Sequence, residues 1–220
     1  MMKRILHATI AGSILLAAAL VLSCKKDTVI LYNDLSFVTA SGGTYITDSN
    51  LEYIIVENAS GKEIPAEGRL LLSSDILKKV RNGVFHVRVN AFAVPLTKDS
   101  VKPEEAPAAD DPVQIEGGWF SGGYFNALLG FYRKDESETK HIVNLTYTLP
   151  TESNDTLYLR LRHDAVGEVP PSEDETDGYS YVRTYTCFHL AGLLPENTVA
   201  PVKVTWLWDT EHHSKLKLQF

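Results

Sequence analysis

Short segments of alternating apolar and polar residues, separated by glycine, asparagine and serine turns, run through most of this chain. In residues 156–163, Leu157, Leu159 and Leu161 would face a core while the residues between them face solvent. A period of two residues is typical of a half-buried β-strand. A short helix is predicted at residues 74–80, where a serine caps the start and Asn82-Gly83 follows. We therefore predict an all-β fold with one small helix.

The order of the segments predicts two β domains joined by a linker. Residues 24–98 carry short strands and the small helix, a combination typical of an OB-like barrel. Residues 99–111 are rich in proline and acidic side chains, which predicts an exposed and flexible linker. Residues 112–220 predict an antiparallel β-sandwich. Its strands are predicted at 113–115, 124–132, 141–149, 156–163, 179–189, 202–208 and 215–220.

The first residues are typical of an exported bacterial lipoprotein. Lys3 and Arg4 precede an apolar run at 10–22 that is too short to span a bilayer. The letters VLSC that end at Cys24 resemble the lipobox, in which the cysteine is acylated and becomes the mature N-terminus. The alternative is an ordinary signal peptide with a chance cysteine. We expect residues 1–23 to be removed and Cys24 to anchor the chain to the cell envelope, at the outer membrane, with the face left open.

Charge and cysteine content restrict the partners and the chemistry. The formal net charge of -7 repels phosphate backbones, so nucleic acid is not an expected partner. Cys24 and Cys187 are the two cysteines, and acylation of the first leaves no internal disulfide. Cys187 lies in a predicted strand, where a buried thiol is expected.

No catalytic motif emerges, and we expect no catalytic residue, metal or cofactor. Ser121 lacks the first glycine of a nucleophile elbow, because Trp119 stands there; we expect that tryptophan to fill the core at a glycine-permitted bend. His163-Asp164 could hold a metal, but a structural hydrogen bond is favoured. His212 and His213 are adjacent and would point to opposite faces of a strand. The acidic segment 173–178 imitates a calcium loop without its twelfth-position glutamate.

Three stretches resemble the NigD-like lipoproteins of Bacteroidetes in sequence and in order. They are GRLLLSSDILKKVRNGVFHVRVNAFAVPLTKD, DPVQIEGGWFSGGYFNALLGFYRKDESETKHIVNLTY and LYLRLRHDAVGEV. The resemblance implies an N-terminal OB domain, a C-terminal β-sandwich and an envelope location. It implies no activity, although the family name comes from a bacteriocin-associated gene cluster.

Three tripeptides resemble the Asp-Ser/Thr-aliphatic acceptor of O-glycosylation in Bacteroidetes, and their acceptors are Thr28, Ser100 and Thr156. Ser100 is the favoured site, since the prolines that follow should keep it exposed. Taken together, we expect a non-catalytic, lipid-anchored protein that presents two β domains to an envelope protein or a glycan. Loops at the sandwich end, or aromatic residues at the seam such as Trp119 and Tyr124, would form the binding surface. The alternatives are a metal-assisted hydrolase using His163 and Asp164, and a bacteriocin-associated accessory or immunity lipoprotein.

Overall fold

The computed structural model describes residues 31–172, 174–194, 200–207 and the backbone of 213–219. The predicted signal peptide, Cys24 and Thr28 lie outside these residues. The described chain is all-β, as predicted. Its strands are β1 (Tyr32–Ser41), β2 (Thr44–Thr47), β3 (Glu52–Asn58), β4 (Gly68–Arg81), β5 (Val84–Ala93), β6 (Leu96–Asp99), β7 (Gln114–Ser121), β8 (Tyr124–Lys134), β9 (Ile142–Thr148), β10 (Leu157–Asp164), β11 (Tyr179–His189), β12 (Pro201–Leu207) and β13 (His213–Gln219).

The first five strands close into a barrel in the order β1-β2-β3-β5-β4. The pair β3–β5 is parallel, whereas the other neighbours run antiparallel. Apolar side chains on the inner face fill the barrel, as the alternating pattern predicts. The fully buried ones include Val38, Leu70, Leu72, Ile76, Val87 and Val89. The predicted OB-like barrel is therefore confirmed.

The predicted helix at residues 74–80 is wrong, because this stretch is the second half of β4. The polar residue Asp75 is buried there at 3% exposure and accepts hydrogen bonds from Arg88 on β5 and from Asn33 on β1. Three register shifts between β4 and β5 bend the strand around the barrel and interrupt the two-residue alternation. Because Asp75 is buried and the bulges shift the alternation, the spacing of polar and apolar residues in this strand resembles that of a helix.

The second domain is a sandwich of two four-stranded sheets with the orders β13-β12-β10-β9 and β6-β11-β8-β7. Phe125, Leu129, Leu145, Leu159 and Phe188 lie fully or almost fully buried between the sheets. The sandwich is confirmed, and most of its pairs are antiparallel. Two pairs, β10–β12 and β6–β11, are parallel.

The predicted boundary and linker at residues 99–111 need correction. Residues 96–99 form β6, which pairs with β11 and therefore belongs to the sandwich instead of the barrel. Val101 then exchanges backbone hydrogen bonds with the β9 region, and a short 3-10 helix follows at Pro103–Glu105. Residues 102–105 are exposed, as predicted, but the backbones of Val101 and Asp111 on either side of them hydrogen-bond to the sandwich. In the described part of the chain, no helix is long and apolar enough to cross a membrane.

Candidate binding cleft between the domains

The barrel rests on one end of the outer face of the sheet β6-β11-β8-β7. Phe37 and Leu71 from the barrel are buried against Cys187 of β11, and Tyr124 and Tyr185 pack around them. Cys187 is fully buried, as predicted, and burial raises the pKa of its thiol. Apolar side chains therefore form the centre of the domain junction.

Arg69 of β4 joins the two domains through permanent charge. It is 3% exposed, and its guanidinium donates to both carboxylate oxygens of Asp48, at 2.8 and 2.6 Å, and to Oδ1 of Asn126 on β8, at 3.0 Å. The guanidinium carbon lies 4.1 Å from the ring centre of Tyr124 and 4.9 Å from that of Phe37. Burial alone would lower the pKa of Arg69, but the hydrogen bonds with Asp48 act in the opposite direction. The pKa of the guanidinium is therefore raised above its usual value. The guanidinium of Arg69 is thus hydrogen-bonded along its edge, and aromatic rings cover its faces.

The β7–β8 hairpin completes the polar part of the junction. Ser121 donates to Oδ2 of Asp48 at 2.5 Å, and the side chain of Asn126 donates to Ser121 Oγ at 2.9 Å. Gly122 occupies the turn with φ +59°, and a Cβ there would stand 2.3 Å from Oδ1 of Asp48. A glycine is thus required both by the backbone and by the contact. We call Asp48, Arg69, Ser121 and Asn126 the junction cluster.

An open cleft of about 340 Å³ lies beside the junction cluster. Its apolar wall includes Leu35, which is 65% exposed, and Trp119, which is 37% exposed. The prediction that Trp119 fills the core is therefore wrong, because its ring packs over Phe37 at the domain junction, 5.7 Å between centres. The prediction that Trp119 and Tyr124 lie at the seam is in agreement with the structure. Ser49 and Asp48 form part of the polar wall.

A second polar cluster lies near the end of β8 that is far from the cleft. It contains His163, which belongs to β10. Its Nδ1 is 2.9 Å from the Pro112 carbonyl oxygen, and its Nε2 is 3.0 Å from Nδ1 of His141. The Nε2 of His141 is in turn 3.2 Å from Oε2 of Glu168. Phe131 packs against both imidazoles. We call His141, His163 and Glu168 the histidine cluster.

The histidine cluster is buried and its ionisation is perturbed. His163 is 2% exposed and Glu168 is 7% exposed. Burial lowers the pKa of His163. The Ser137 hydroxyl, which donates to Glu168, is the main cause that lowers the pKa of that carboxyl to about 2. At neutral pH the structure therefore holds an ionised Glu168 beside two imidazoles.

The pair His163-Asp164 does not converge on one point. Asp164 accepts the backbone N–H of Val166 at 2.8 Å, while both ring nitrogens of His163 contact Pro112 and His141. In the described residues, no three histidine, cysteine, aspartate or glutamate side chains are arranged to hold a metal ion. The structural hydrogen bond favoured from the sequence is present.

The remaining predicted residues lie apart from both clusters. Ser100 is half-buried and donates to the His189 carbonyl oxygen at 2.9 Å, so the expectation of an exposed site is wrong. Thr156 precedes β10, is half-buried, and its hydroxyl contacts Asp155 at 3.3 Å. His212, the side chain of His213 and Glu173 lie outside the described residues. The rest of the calcium-like segment is a surface turn.

Sequence reasoning did not bring together the residues of either cluster. Arg69 and Asp48 are separated by a strand and a long loop, and their partner Asn126 lies in another domain. One signal was available for the histidine cluster. In β10, His163 continues the inward series of Leu157, Leu159 and Leu161, and a buried histidine requires hydrogen-bond partners.

Comparison with known proteins gives both a family and a fold. A family model for the NigD-like C-terminal beta sandwich domain matches residues 94–219. No curated protein matches the chain. A toxin-related protein from Parabacteroides distasonis has a solved structure with 21% identity and a TM-score of 0.65, covering 86% of this chain and 93% of its own.

Two further solved structures cover 86% of this chain and 96% of their own length. A NigD-like immunity protein from Bacteroides caccae shows 16% identity and a TM-score of 0.62. A protein described as a lipoprotein from Bacteroides fragilis shows 9% identity and a TM-score of 0.55. These likenesses show a shared two-domain fold. Since the family match spans more than half of its residues, the chain belongs to the NigD-like family.

Proposed function

We propose that this NigD-like chain is a non-catalytic envelope lipoprotein, anchored through Cys24, that binds a partner in the cleft between barrel and sandwich. The observation that carries the binding proposal is the exposure of Leu35 and Trp119 beside a fixed domain junction. Large apolar side chains exposed together are typical of protein interaction sites. The lipobox at the N-terminus supports the anchor, as does the shared fold with a protein described as a lipoprotein.

The junction cluster makes the cleft a preformed site. Leu35 belongs to the barrel and Trp119 to the sandwich, so a movement of one domain would separate the two walls. Arg69, with its bidentate pairing to Asp48 and its bond to Asn126, opposes that movement. A site that is ordered before binding loses less conformational entropy when a partner arrives.

The chemistry of the cleft favours a protein partner over a glycan. A sugar site needs polar groups that are free to accept and donate, but the carboxylate of Asp48 already accepts from Arg69 and Ser121. The surface that remains open is mainly apolar, and an apolar or aromatic side chain of a protein fits it. The partner proposed here is therefore an envelope protein, with glycan binding as the alternative outcome.

Site-specific photo-crosslinking in the native host tests the proposal. A photoreactive amino acid at Leu35 should give a discrete adduct, and the adduct should weaken when Trp119→Ala is introduced. The matched control is Val56, an exposed apolar residue of β3, 51% exposed, which is not among the cleft residues. The same adducts from positions 35 and 56, or none from either, would reject the cleft as the binding site. A shift in melting temperature on adding host surface polysaccharide, lost in Trp119→Ala, would instead favour the glycan.

The anchor has its own test. Cys24→Ser should release the protein from the membrane fraction, because two or three acyl chains contribute roughly 0.8 kcal/mol for each buried methylene. Separation of inner and outer membranes, followed by protease treatment of intact cells, would then assign the membrane and its face. Retention of Cys24→Ser in the membrane with unchanged mobility would contradict acylation.

A second candidate function is immunity to, or assistance of, a secreted toxin. The observation that favours it is the fold shared with a NigD-like immunity protein of Bacteroides caccae. A strain that lacks this gene, challenged with the product of any toxin gene found beside it, should lose viability, and the wild-type gene should restore it. Equal survival of both strains would contradict the immunity role and would leave the binding of an envelope protein as the proposed function.

The hydrolase alternative and the glycosylation sites remain open to direct tests. Hydrolysis with metal at His163 and Asp164 would require the contacts of His163 with Pro112 and His141 to break. A melting temperature that rises with a divalent metal and returns with chelator would support that alternative. For modification, mass spectrometry of the native protein should show added mass on the peptides that carry Ser100 or Thr156, or only their bare masses if the tripeptides are accidental.

A further inference from the structure

The contacts of the histidine cluster determine how many protons its two rings carry. The Pro112 carbonyl can only accept a hydrogen bond, so Nδ1 of His163 carries a proton. The ionised Glu168 also only accepts, so Nε2 of His141 carries a second. The 3.0 Å contact between the remaining nitrogens, His163 Nε2 and His141 Nδ1, requires a third proton, because two lone pairs repel. Two neutral imidazoles hold two ring protons, so this pair holds one in excess.

The position of the extra charge follows from the surroundings of each ring. Burial lowers the pKa of His163, and this ring lies one hydrogen bond farther from the carboxylate. His141 contacts Glu168 directly, and its side chain is 3% exposed. The imidazolium is therefore His141, paired with the Glu168 carboxylate. If the proton moved from His141 onto Glu168, the number of protons in the cluster would stay the same. The hydrogen bond from Ser137 opposes that arrangement, because it lowers the pKa of the carboxyl.

We propose that the His141–His163–Glu168 cluster is a buried proton-binding site, which holds one hydrogen ion and thereby ties together three segments of the sandwich. The segments are the loop after β8 with His141, the end of β10 with His163, and the following turn with Glu168. Without the proton, one buried polar group would lose its partner: either the two facing ring nitrogens would both present lone pairs, or His141 would present a lone pair to the ionised Glu168. Such a group is costly to bury, so the three segments should then separate.

The neighbouring charges do not replace that proton. Asp111 accepts the backbone N–H of Ala165 at 2.7 Å, and Asp164 accepts that of Val166. The guanidinium of Arg133 donates to the Ser137 carbonyl oxygen. Asp110 pairs with Arg160. The other charged residues of the β8–β9 loop are exposed: Lys134, Asp135, Glu136, Glu138 and Lys140.

The cluster predicts that stability falls on both sides of neutral pH. In the unfolded chain each histidine titrates near pH 6.5. Above that pH the unfolded chain releases protons while the folded cluster keeps one, so the folded state binds more protons and stability falls as pH rises. Below it the unfolded chain binds two and the folded cluster one, so stability falls as pH decreases. Each limb changes the unfolding equilibrium constant by at most about tenfold per pH unit.

Nitrogen NMR of the folded wild-type mature chain is the direct test. At pH 7, both ring nitrogens of His141 should carry protons, whereas His163 should be protonated at Nδ1 and accept at Nε2. Two neutral rings, together with a carboxyl carbon shift that shows Glu168 to be ionised, would overturn the proposal. This measurement needs no variant, so a substitution that fails to fold does not affect it.

Glu168→Gln tests the consequence for stability. The amide can donate to Nε2 of His141, so two neutral rings satisfy all contacts and no extra proton is needed. Between pH 7 and 9, the unfolding equilibrium constant of the wild type should rise by up to about tenfold per pH unit relative to Glu168→Gln. Glu138→Gln, an exposed carboxylate of the same loop, is the matched control and should follow the wild type. Parallel pH profiles of the wild type and Glu168→Gln would contradict the proposal.

Discussion

The junction cluster and the histidine cluster are both buried and polar, but they depend on different kinds of charge. The junction cluster uses a guanidinium that remains protonated at every physiological pH, and it joins two domains. The histidine cluster uses imidazoles, the side chains whose unperturbed pKa lies closest to neutrality, and it joins segments of one domain. The fold thus fixes the relation between its domains with a permanent charge and leaves pH sensitivity to one end of the sandwich.

Arg69→Met is expected to have the largest effect, because it leaves Asp48 and Asn126 without their shared cationic partner in a nearly closed junction. Removing one partner of a buried ion pair costs roughly 3–5 kcal/mol. Urea unfolding should show this loss at pH 6 and at pH 9 alike. Arg81→Met is the control, since its pair with Glu52 is exposed and contributes at most about 1 kcal/mol. A loss as small as that of the control would mean that aromatic packing alone holds the domains together.

His163→Phe should cost less and should change the pH response. The new ring keeps most of the volume but leaves the Pro112 carbonyl and the Nδ1 proton of His141 unpaired, at roughly 1–3 kcal/mol for each buried group. Unfolding curves from pH 6 to 9 measure both effects, with the half-buried barrel residue His86→Phe as the control. If both substitutions destabilise equally, the histidine cluster has no special role.

Tyr124→Leu separates the stacking of an aromatic ring on Arg69 from the ion pairing of Arg69 in the junction cluster. The substitution removes the ring that lies 4.1 Å from the Arg69 guanidinium, an interaction of about 0.5–2 kcal/mol. Tyr124→Phe keeps the ring and should be close to the wild type. Equal losses in the two variants would assign the effect to the hydroxyl group.

Trp119→Ala should have the smallest effect on stability and a large one on binding. The ring is partly exposed and packs on Phe37, an aromatic pair that contributes about 0.5–1.5 kcal/mol. The crosslinked adduct from position 35 should nevertheless weaken strongly. A loss of several kcal/mol in urea unfolding would make Trp119 a structural residue and not a binding one.

The sequence predicts those parts of the fold in which one face of a strand is apolar. The inward series Leu157, Leu159 and Leu161 matches β10, and both the barrel and the sandwich follow from such patterns. The prediction fails in β4, where Asp75 is buried and paired, because burial of a charged residue depends on a partner, Arg88, that lies on another strand. Polar pairing over long sequence distances leaves no periodic signal.

The same reason limits prediction of the candidate site. The aromatic seam residues Trp119 and Tyr124 stand out in the sequence, whereas Asp48 and Arg69 resemble ordinary surface charges until the sandwich is placed against the barrel. Likewise, His163 is recognisable as an inward residue, but Glu168 lies in a turn where an exposed carboxylate is the usual expectation. The residues that hold the domain junction together can thus be identified from their contacts in the structure, but not from a pattern in the sequence.

The strand β6 has a consequence for how the chain acquires its fold. It follows the barrel directly, yet it pairs with β11, and Ser100 at its end is 89 residues from its hydrogen-bond partner His189. During synthesis, the barrel can close from its own five strands, whereas β6 can pair only after most of the sandwich has been made. Contacts between such distant segments form slowly. Refolding should therefore show a fast phase for the barrel and a slower phase for the sandwich. In the slower phase β6, which connects the domains, pairs with β11 and becomes an edge strand of the sandwich.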